Sequence, residues 1–292
     1  MSPRSAREIR ALLLAHVAAA LSEDGAAHDV TSAVGLPPGQ AGTAVLVAGA
    51  PGVLAGGEPA ELAFRLLSPR LRVRLLLRDG AKVRPGTKVL RVRGPRAAIL
   101  SAERTALNYM THLSGIATLT AAHVARLKGT GVTLLDTRKT TPLLRLLEKA
   151  AVRAGGGRNH RMGLHDAVLL KDNHVRAAGG PAKAVARARR ALADMGRPRL
   201  TVELEVQSMA ELREARDLPV DRIMLDNFTP ARIRAALKLM GAVPRRRRPE
   251  IEVSGGIHLG NLRRHAIPGV DFISVGALTH SAPALPFSLD WE

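Results

Sequence analysis

Six short apolar runs in the second half of the chain each end on residues able to do chemistry. "VTLLDT" leads to Asp136, Arg138 and Lys139, and "DAVLLKDN" to Lys171, Asp172 and His174. "TVELEVQ" carries Glu203 and Glu205, "RIMLDN" ends on Asp226, "EIEVSGG" on Ser254, Gly255 and Gly256, and "DFISVGA" on Ser274 and Gly276. Ligands of parallel-strand folds sit at the carboxyl ends of the strands, so these ends are expected to form a chemical rim. The opposite ends of the same runs show nothing comparable.

Three kinds of group share that rim. The glycines of "SGGI" and "SVGA" follow the last two runs, where loop amides and a helix N-terminus commonly hold a phosphate and where glycine allows close backbone approach. Glu205 and Asp226 end neighbouring runs, and carboxylates so placed can hold a hard metal ion, bind sugar hydroxyls, face a developing cation, or simply pair with nearby cations. Glu203 lies two residues before Glu205 and shares its side of the strand. The cations Arg138, Lys139, His160, Arg161 and Lys171 gather around two of the ends, and an arginine fork suits a carboxylate. Arg145, Lys149 and Arg153 instead repeat every four residues on "LLRLLEKAAVRAGG" and are expected to form a solvated helix face. His160, His165 and His174 lack an HExxH helix or a cysteine partner, so a histidine-bound metal is not expected. A substrate pair carrying a phosphate and several carboxylates would satisfy such a rim.

The elements that position these groups fall into two patterns. Up to about residue 130 an opening helix is followed by strands at "TAVLVAG", "RVRLLLRDG" and "KVLRVRG", a turn at Pro85-Gly86, and a long helix over 97–127. This predicts an α+β unit with antiparallel strands. Beyond it, the six runs alternate with helical stretches such as "PAKAVARARRALADMG", "SMAELREA" and "TPARIRAALKLMG", the last two opening on a Ser or Thr suited to capping. Parallel strands follow, as a β/α barrel or a doubly wound sheet.

Composition narrows the class. The 292 residues are 46% hydrophobic and 24% charged, the balance of a globular protein with about two domains. Cysteine is absent, which removes disulfides, thiolate nucleophiles and sulfur-bound zinc and fits a reducing cytoplasm. The amino-terminal "REIRALLLAHVAAALSEDG" has helical apolar spacing interrupted by His16, so a surface helix is expected rather than a secretory leader. No apolar run reaches the roughly 20 residues that span a bilayer. The net charge of +19 favours anionic partners, and the Arg245 to Arg248 run is expected to be an exposed loop.

The motifs "LLDTRKTTP", "LEKAAVRAGGGRNHRMGLHDAVLLKDNH", "VELEV", "IMLDNF", "EVSGGI" and "GVDFISVGALTHSAPAL" closely resemble those of quinolinate phosphoribosyltransferases. The resemblance extends upstream through "LSAERTALNYMTHLSGIAT", "GVLAG" and "EDGAAHDVT", in the family's order. It implies an N-terminal α/β sandwich-like domain over 1–113, an irregular β/α barrel over 114–280 and a tail, 281–292, returning to the first domain. It also implies transfer of a phosphoribosyl group from 5-phosphoribosyl 1-pyrophosphate to quinolinate with decarboxylation, Mg²⁺ as cofactor, and a cytoplasmic homodimer or higher even oligomer with shared active sites, in which Arg104 reaches the partner's barrel. Neither nucleic acid nor membrane is an expected partner.

By that resemblance Arg104, Arg138, His160, Arg161 and Lys171 hold the quinolinate carboxylates, with Lys139 shared between quinolinate and pyrophosphate. Glu205 and Asp226 bind ribose hydroxyls and the metal, and Lys139, Glu205 and Asp226 are the catalytic set. Ser254, Gly255, Gly256, Ser274 and Gly276 take the 5-phosphate. Leu143 replaces the usual Gly of "KTTPG", His165 stands where an aromatic or small residue is commoner, Pro286 replaces an Asp, and "GAAH" precedes Asp29. A pyrophosphorylase-like relative of molybdenum metabolism and a polyanion-binding protein are the rival readings.

Overall fold

A computed structural model describes residues 6–243 and 248–292. Of the expected arginine loop, Arg245, Arg246 and Arg247 lie outside the described residues. The elements run α1 (Ala6–Glu23), α2 (Val30–Gly35), β1 (Ala41–Ala48), β2 (Gly52–Val53), α3 (Gly57–Leu67), β3 (Arg72–Leu75), β4 (Lys82–Val83), β5 (Lys88–Pro95) and α4 (Arg96–Leu127). They continue with β6 (Thr133–Leu135), α5 (Arg145–Ala154), β7 (Val168–Leu170), α6 (Asp172–Ala178), α7 (Pro181–Asp194), β8 (Val202–Val206), α8 (Met209–Ala215) and β9 (Arg222–Asp226). The chain closes with α9 (Pro230–Met240), β10 (Glu250–Ser254), α10 (Leu262–His265), β11 (Phe272–Ser274), α11 (Ala277–His280) and β12 (Phe287–Trp291). Two compact units result, one of residues 2–121, 141–156 and 278–292, the other of 122–140 and 157–277.

The first unit is built on an antiparallel sheet in the order β12-β1-β5-β3. Period-two alternation explains it: Leu90 and Val92 of β5 are buried while Arg91 and Arg93 are exposed. The turn at Pro85-Gly86 forms as expected, with Gly86 at φ 84 and the Thr87 N–H donating to the Arg84 carbonyl at 3.0 Å. Phe64, Leu46, Leu54, Leu90, Ile99, Met110, Leu113 and Ile116 are its largest fully buried apolar side chains, each stabilising the fold by about 1.5–3 kcal/mol.

Helix α5 belongs to this unit and corrects one expectation. Lys149 is fully buried, as is Glu148, although Arg153 is exposed. Residues 145, 149 and 153 are offset by only about 40° per step and so share one face of the helix, but Lys149 is buried because that part of α5 packs into its unit rather than facing water. Glu148 accepts from His112 Nε2 at 2.8 Å and from the Thr141 N–H at 3.1 Å. Its role is to tie the segment before α5 to α4.

That segment holds Leu143 at φ 66 with 89% of its surface exposed. A left-handed conformation costs an L-residue roughly 1–2 kcal/mol, partly offset by the greater unfolded-state freedom of glycine. Leu143→Gly is therefore expected to stabilise the protein by about 0.5–1 kcal/mol, read as a higher denaturant midpoint at unchanged slope. A lower midpoint would mean that the leucine makes a contact worth more than its strain.

The second unit contains all six expected strands, parallel and in the order β6-β11-β10-β9-β8-β7. It is an irregular β/α barrel: among the described residues the edge strands β6 and β7 do not pair with each other, and β6 instead makes a single parallel bridge from Leu135 to Arg158. The helices start where their caps predict. Ser208 accepts the Glu211 N–H at 3.1 Å, and Thr229 accepts the Arg232 N–H at 3.3 Å. Val202, Leu204, Ile223, Leu225, Ile251 and Val253 are buried. The alternate residues Glu203, Glu205, Arg222, Asp226, Glu252 and Ser254 share the other side of their strands. Among the described residues no helix is long and apolar enough to cross a membrane.

Candidate active site

The rim forms at the carboxyl ends of these strands. Lys171, the residue after β7, places Nζ 3.0 Å from Glu205 Oε2 on β8. The lysine side chain is about half exposed and the glutamate nearly buried, so the pair opens to solvent from the lysine side. His174 accepts the Lys171 N–H at Nδ1, 3.1 Å away, so the histidine of "KDNH" caps the start of α6 and fixes the lysine backbone.

Asp226 ends β9 and receives the Asn227 side-chain N–H at 2.9 Å. Asn227 has φ 56, and its own N–H donates to the Ser254 carbonyl at 2.9 Å. Gly255 follows at φ 93, and a Cβ there would collide with the Asn227 amide, so only glycine fits the interlocked turn. Gly256, at φ 60, has nothing within 4 Å of a would-be Cβ, which leaves that side of the turn open. Ser274 is buried, and its hydroxyl helps hold the Glu252 pKa down. Gly276 lies just before α11.

The cationic side is carried by two segments. Asp136, fully buried beyond β6, accepts the Asn159 side-chain N–H at 2.5 Å and the His160 N–H at 2.8 Å. This draws residues 158–161 to the end of β6. Arg138 is half-buried and Lys139 exposed, the latter's N–H donating to Thr137 Oγ1 at 3.0 Å. Burial, then the charge of Arg138, lower the Arg161 pKa, which places the two guanidinium groups within electrostatic reach. Arg161 also donates to the Ala167 carbonyl at 3.2 Å.

His160 points into the strand wall. Its Nε2 lies 2.9 Å from Glu203 Oε2 and 3.5 Å from Glu252 Oε2, with the side chain 8% exposed. Its Nδ1 accepts the Arg161 N–H at 2.8 Å. Burial lowers its pKa, but hydrogen bonds and charge from the two carboxylates outweigh that and raise it to about 9. Burial and then the charge of Glu252 raise the Glu203 pKa. For Glu252 burial acts upward, yet His160, Ser274 and Arg222 bring it below its usual value. Arg222 closes the cluster: it reaches Glu252 Oε2 at 2.9 Å and Glu250 at 3.1 Å, and stacks 4.0 Å over the Phe272 ring.

The Nε2 and carboxylate oxygens of His160, Glu203 and Glu252 lie within 4.8 Å of one another, close enough to share a cation. Arg222 already supplies one positive charge there, and a protonated His160 makes the buried set neutral. A divalent ion in place of that proton would leave a net charge in a dry site, which is costly. The proton is the better occupant.

Sequence reasoning thus located the rim but not all that supports it. Glu252 and Arg222 were not among its candidates. Their signal was a charge out of place in an apolar run, Glu252 two residues after Glu250 in "EIEVS" and Arg222 four before Asp226 in "RIMLD", on the same face as Glu203 and Glu205. Arg104 is exposed on α4 in the first unit.

Two family models cover this chain: the quinolinate phosphoribosyl transferase N-terminal domain over residues 29–114 and its C-terminal domain over 116–290. A probable nicotinate-nucleotide pyrophosphorylase [carboxylating] of Bacillus subtilis is 42% identical over 247 residues, covering 85% of this chain and 82% of the relative. The nicotinate-nucleotide pyrophosphorylase [carboxylating] of Mycobacterium leprae is 42% identical over 266 residues, 90% of each chain. The solved nicotinate-nucleotide pyrophosphorylase of Francisella tularensis superposes with a TM-score of 0.88 at 37% identity, covering 96% of both chains.

Proposed function

The chain belongs to the quinolinate phosphoribosyltransferase family, and on that premise we propose that it joins quinolinate to 5-phosphoribosyl 1-pyrophosphate. The products are nicotinate mononucleotide, pyrophosphate and CO₂, a step of de novo NAD biosynthesis. The observation that carries this reading is the Lys171–Glu205 pair at the ends of the adjacent strands β7 and β8.

Quinolinate brings two carboxylates and a ring nitrogen. Arg138, His160, Arg161 and Lys171 hold the carboxylates, Lys139 serves both quinolinate and pyrophosphate, and Arg104 acts from the partner subunit of a homodimer. The ring nitrogen attacks the anomeric carbon as the bond to pyrophosphate breaks, through a transition state with oxocarbenium character. Glu205 and Asp226 face that charge and the ribose hydroxyls. The C–CO₂⁻ bond then breaks, its electron pair stays on the ring carbon, where the adjacent positive ring nitrogen stabilises it, and a proton bonds to that pair. The amides of Ser254 to Gly256 and of Ser274 to Gly276 bind the 5-phosphate.

Glu205 and Asp226 offer hard oxygens from neighbouring strands, fewer than an octahedral ion needs. This fits Mg²⁺, which is commonly held by one or two carboxylates and by the phosphates of its substrate. When bound it would neutralise charge on the departing pyrophosphate. The proposed compartment is the cytoplasm, which the absence of cysteine supports.

Purified protein with quinolinate, phosphoribosyl pyrophosphate and Mg²⁺ is expected to form nicotinate mononucleotide. No product, with nicotinate accepted instead, would overturn the reading. Subunit sharing has its own test: mixing Arg104→Ala with Glu205→Ala subunits should restore up to one intact site per mixed dimer. Confirmed mixed dimers without recovered activity would place Arg104 in its own subunit's site.

A further inference from the structure

The reaction leaves three charged groups of the barrel wall unexplained, Glu203, Arg222 and Glu252, all gathered about His160. Glu203 and Glu252 are 2% and 0% exposed, and burying such charges is costly unless they are paired. They converge on one atom, His160 Nε2, at 2.9 and 3.5 Å. On the other side of the ring, Nδ1 lies 2.8 Å from the Arg161 amide nitrogen. The loop carrying both is pinned by Asp136 through the His160 N–H.

We propose that Glu203, Glu252 and Arg222 are positioning residues that act through His160, engaging Nε2 within the wall so that Nδ1 and the neighbouring Arg161 amide together receive one substrate carboxylate. The inference rests on the reading of this site as a quinolinate site. An imidazole that accepts the Arg161 amide at Nδ1 is neutral, whereas the two carboxylates at Nε2 favour an imidazolium. Protonation turns Nδ1 from acceptor into donor. The two nitrogens, 2.8 Å apart, are then both donors and repel one another, and a carboxylate that accepts from each relieves this with charge-assisted bonds. Arg222 keeps Glu252 ionised and in place, so that only one proton is needed to balance the cluster.

The groups facing His160 come from several elements: Asp136 beyond β6, Glu203 from β8, Arg222 from β9, Glu252 from β10 with Ser274 of β11 behind it, and Arg161 from its own loop. The folded-state pKa of about 9 lies above the ordinary 6.5. The attraction therefore contributes fully to stability below pH 6.5 and is lost as pH rises through about 9. Carboxylate binding should weaken over the same upper limb.

Nitrogen NMR of histidine-labelled protein tests this without turnover. In the wild type the His160 ring should titrate near pH 9, and saturating quinolinate should shift its Nδ1 resonance and raise that midpoint. Glu252→Gln and Glu203→Gln should each lower the midpoint by about one unit or more, and Glu250→Gln, which touches Arg222 but not His160, should not. In steady-state assays the two cluster variants should show the alkaline rise in KM for quinolinate displaced to lower pH by the same amount, with KM for phosphoribosyl pyrophosphate unchanged. If Glu252→Gln does not fold, Glu203→Gln carries the test. An unmoved midpoint in a folded variant, a Nδ1 signal insensitive to quinolinate, or displacement of the proton by micromolar Zn²⁺ would each overturn the proposal. Absence of product in the wild type would instead remove the functional reading, leaving the titrations to stand.

Discussion

Glu205→Gln is expected to reduce kcat by about 10²–10³-fold while the protein remains folded. The amide keeps the side chain's size and a hydrogen-bonding oxygen, so what is removed is the charge. That charge has two tasks. In the free protein it holds Lys171 at 3.0 Å, and in the transition state it would face the oxocarbenium carbon and the ribose. Lys171, released from its partner, remains able to bind a quinolinate carboxylate, so KM for quinolinate should change by no more than a few-fold. Steady-state kinetics under saturating Mg²⁺ check both halves. A kcat within about threefold of wild type would assign Glu205 a purely structural pairing with Lys171.

Asp136→Ala is expected to have the largest effect on stability, about 3–5 kcal/mol. Asp136 is fully buried and its two side-chain oxygens serve different donors, the Asn159 amide and the His160 N–H. Alanine would leave both without their acceptor and free the loop that presents His160 and Arg161. Asp136→Asn should cost less, because one oxygen survives, although its new N–H faces a donor. Denaturant unfolding of the two variants should rank them in that order, with KM for quinolinate rising in parallel. A loss of under about 1 kcal/mol for alanine would show that the loop is held by other contacts.

The readable part of this protein lay in periodicity. Strands of the second unit announced themselves as apolar runs, and the Ser208 and Thr229 caps sit where the sequence expects them. The ends of those strands were legible because a polar residue after an apolar run has few other reasons to be there. Less legible was which cation meets which anion. Lys171 and Glu205 are separated by a helical crossover, and nothing in their spacing says that they pair. Lys149 shows the same limit: a charged residue in a polar helix pattern is buried because of where the rest of its unit lies.

His160 marks the boundary most clearly. Its type and its place in "GGGRNHRMG" were enough to set it among the cations of the rim, since composition and local pattern record which chemical groups exist and on which element, and the family resemblance supplied the expected anionic substrate. Its ionisation and aim were not. These depend on Glu203 and Glu252, brought to one atom by strands that pair only across β9, and on the depth at which water is excluded from all three. The sequence by itself determined the family, the rim and the kinds of charge upon it. The tertiary structure alone decided which of those charges pair with one another, because charge–charge energies depend on through-space distance and burial, neither of which is local in the chain.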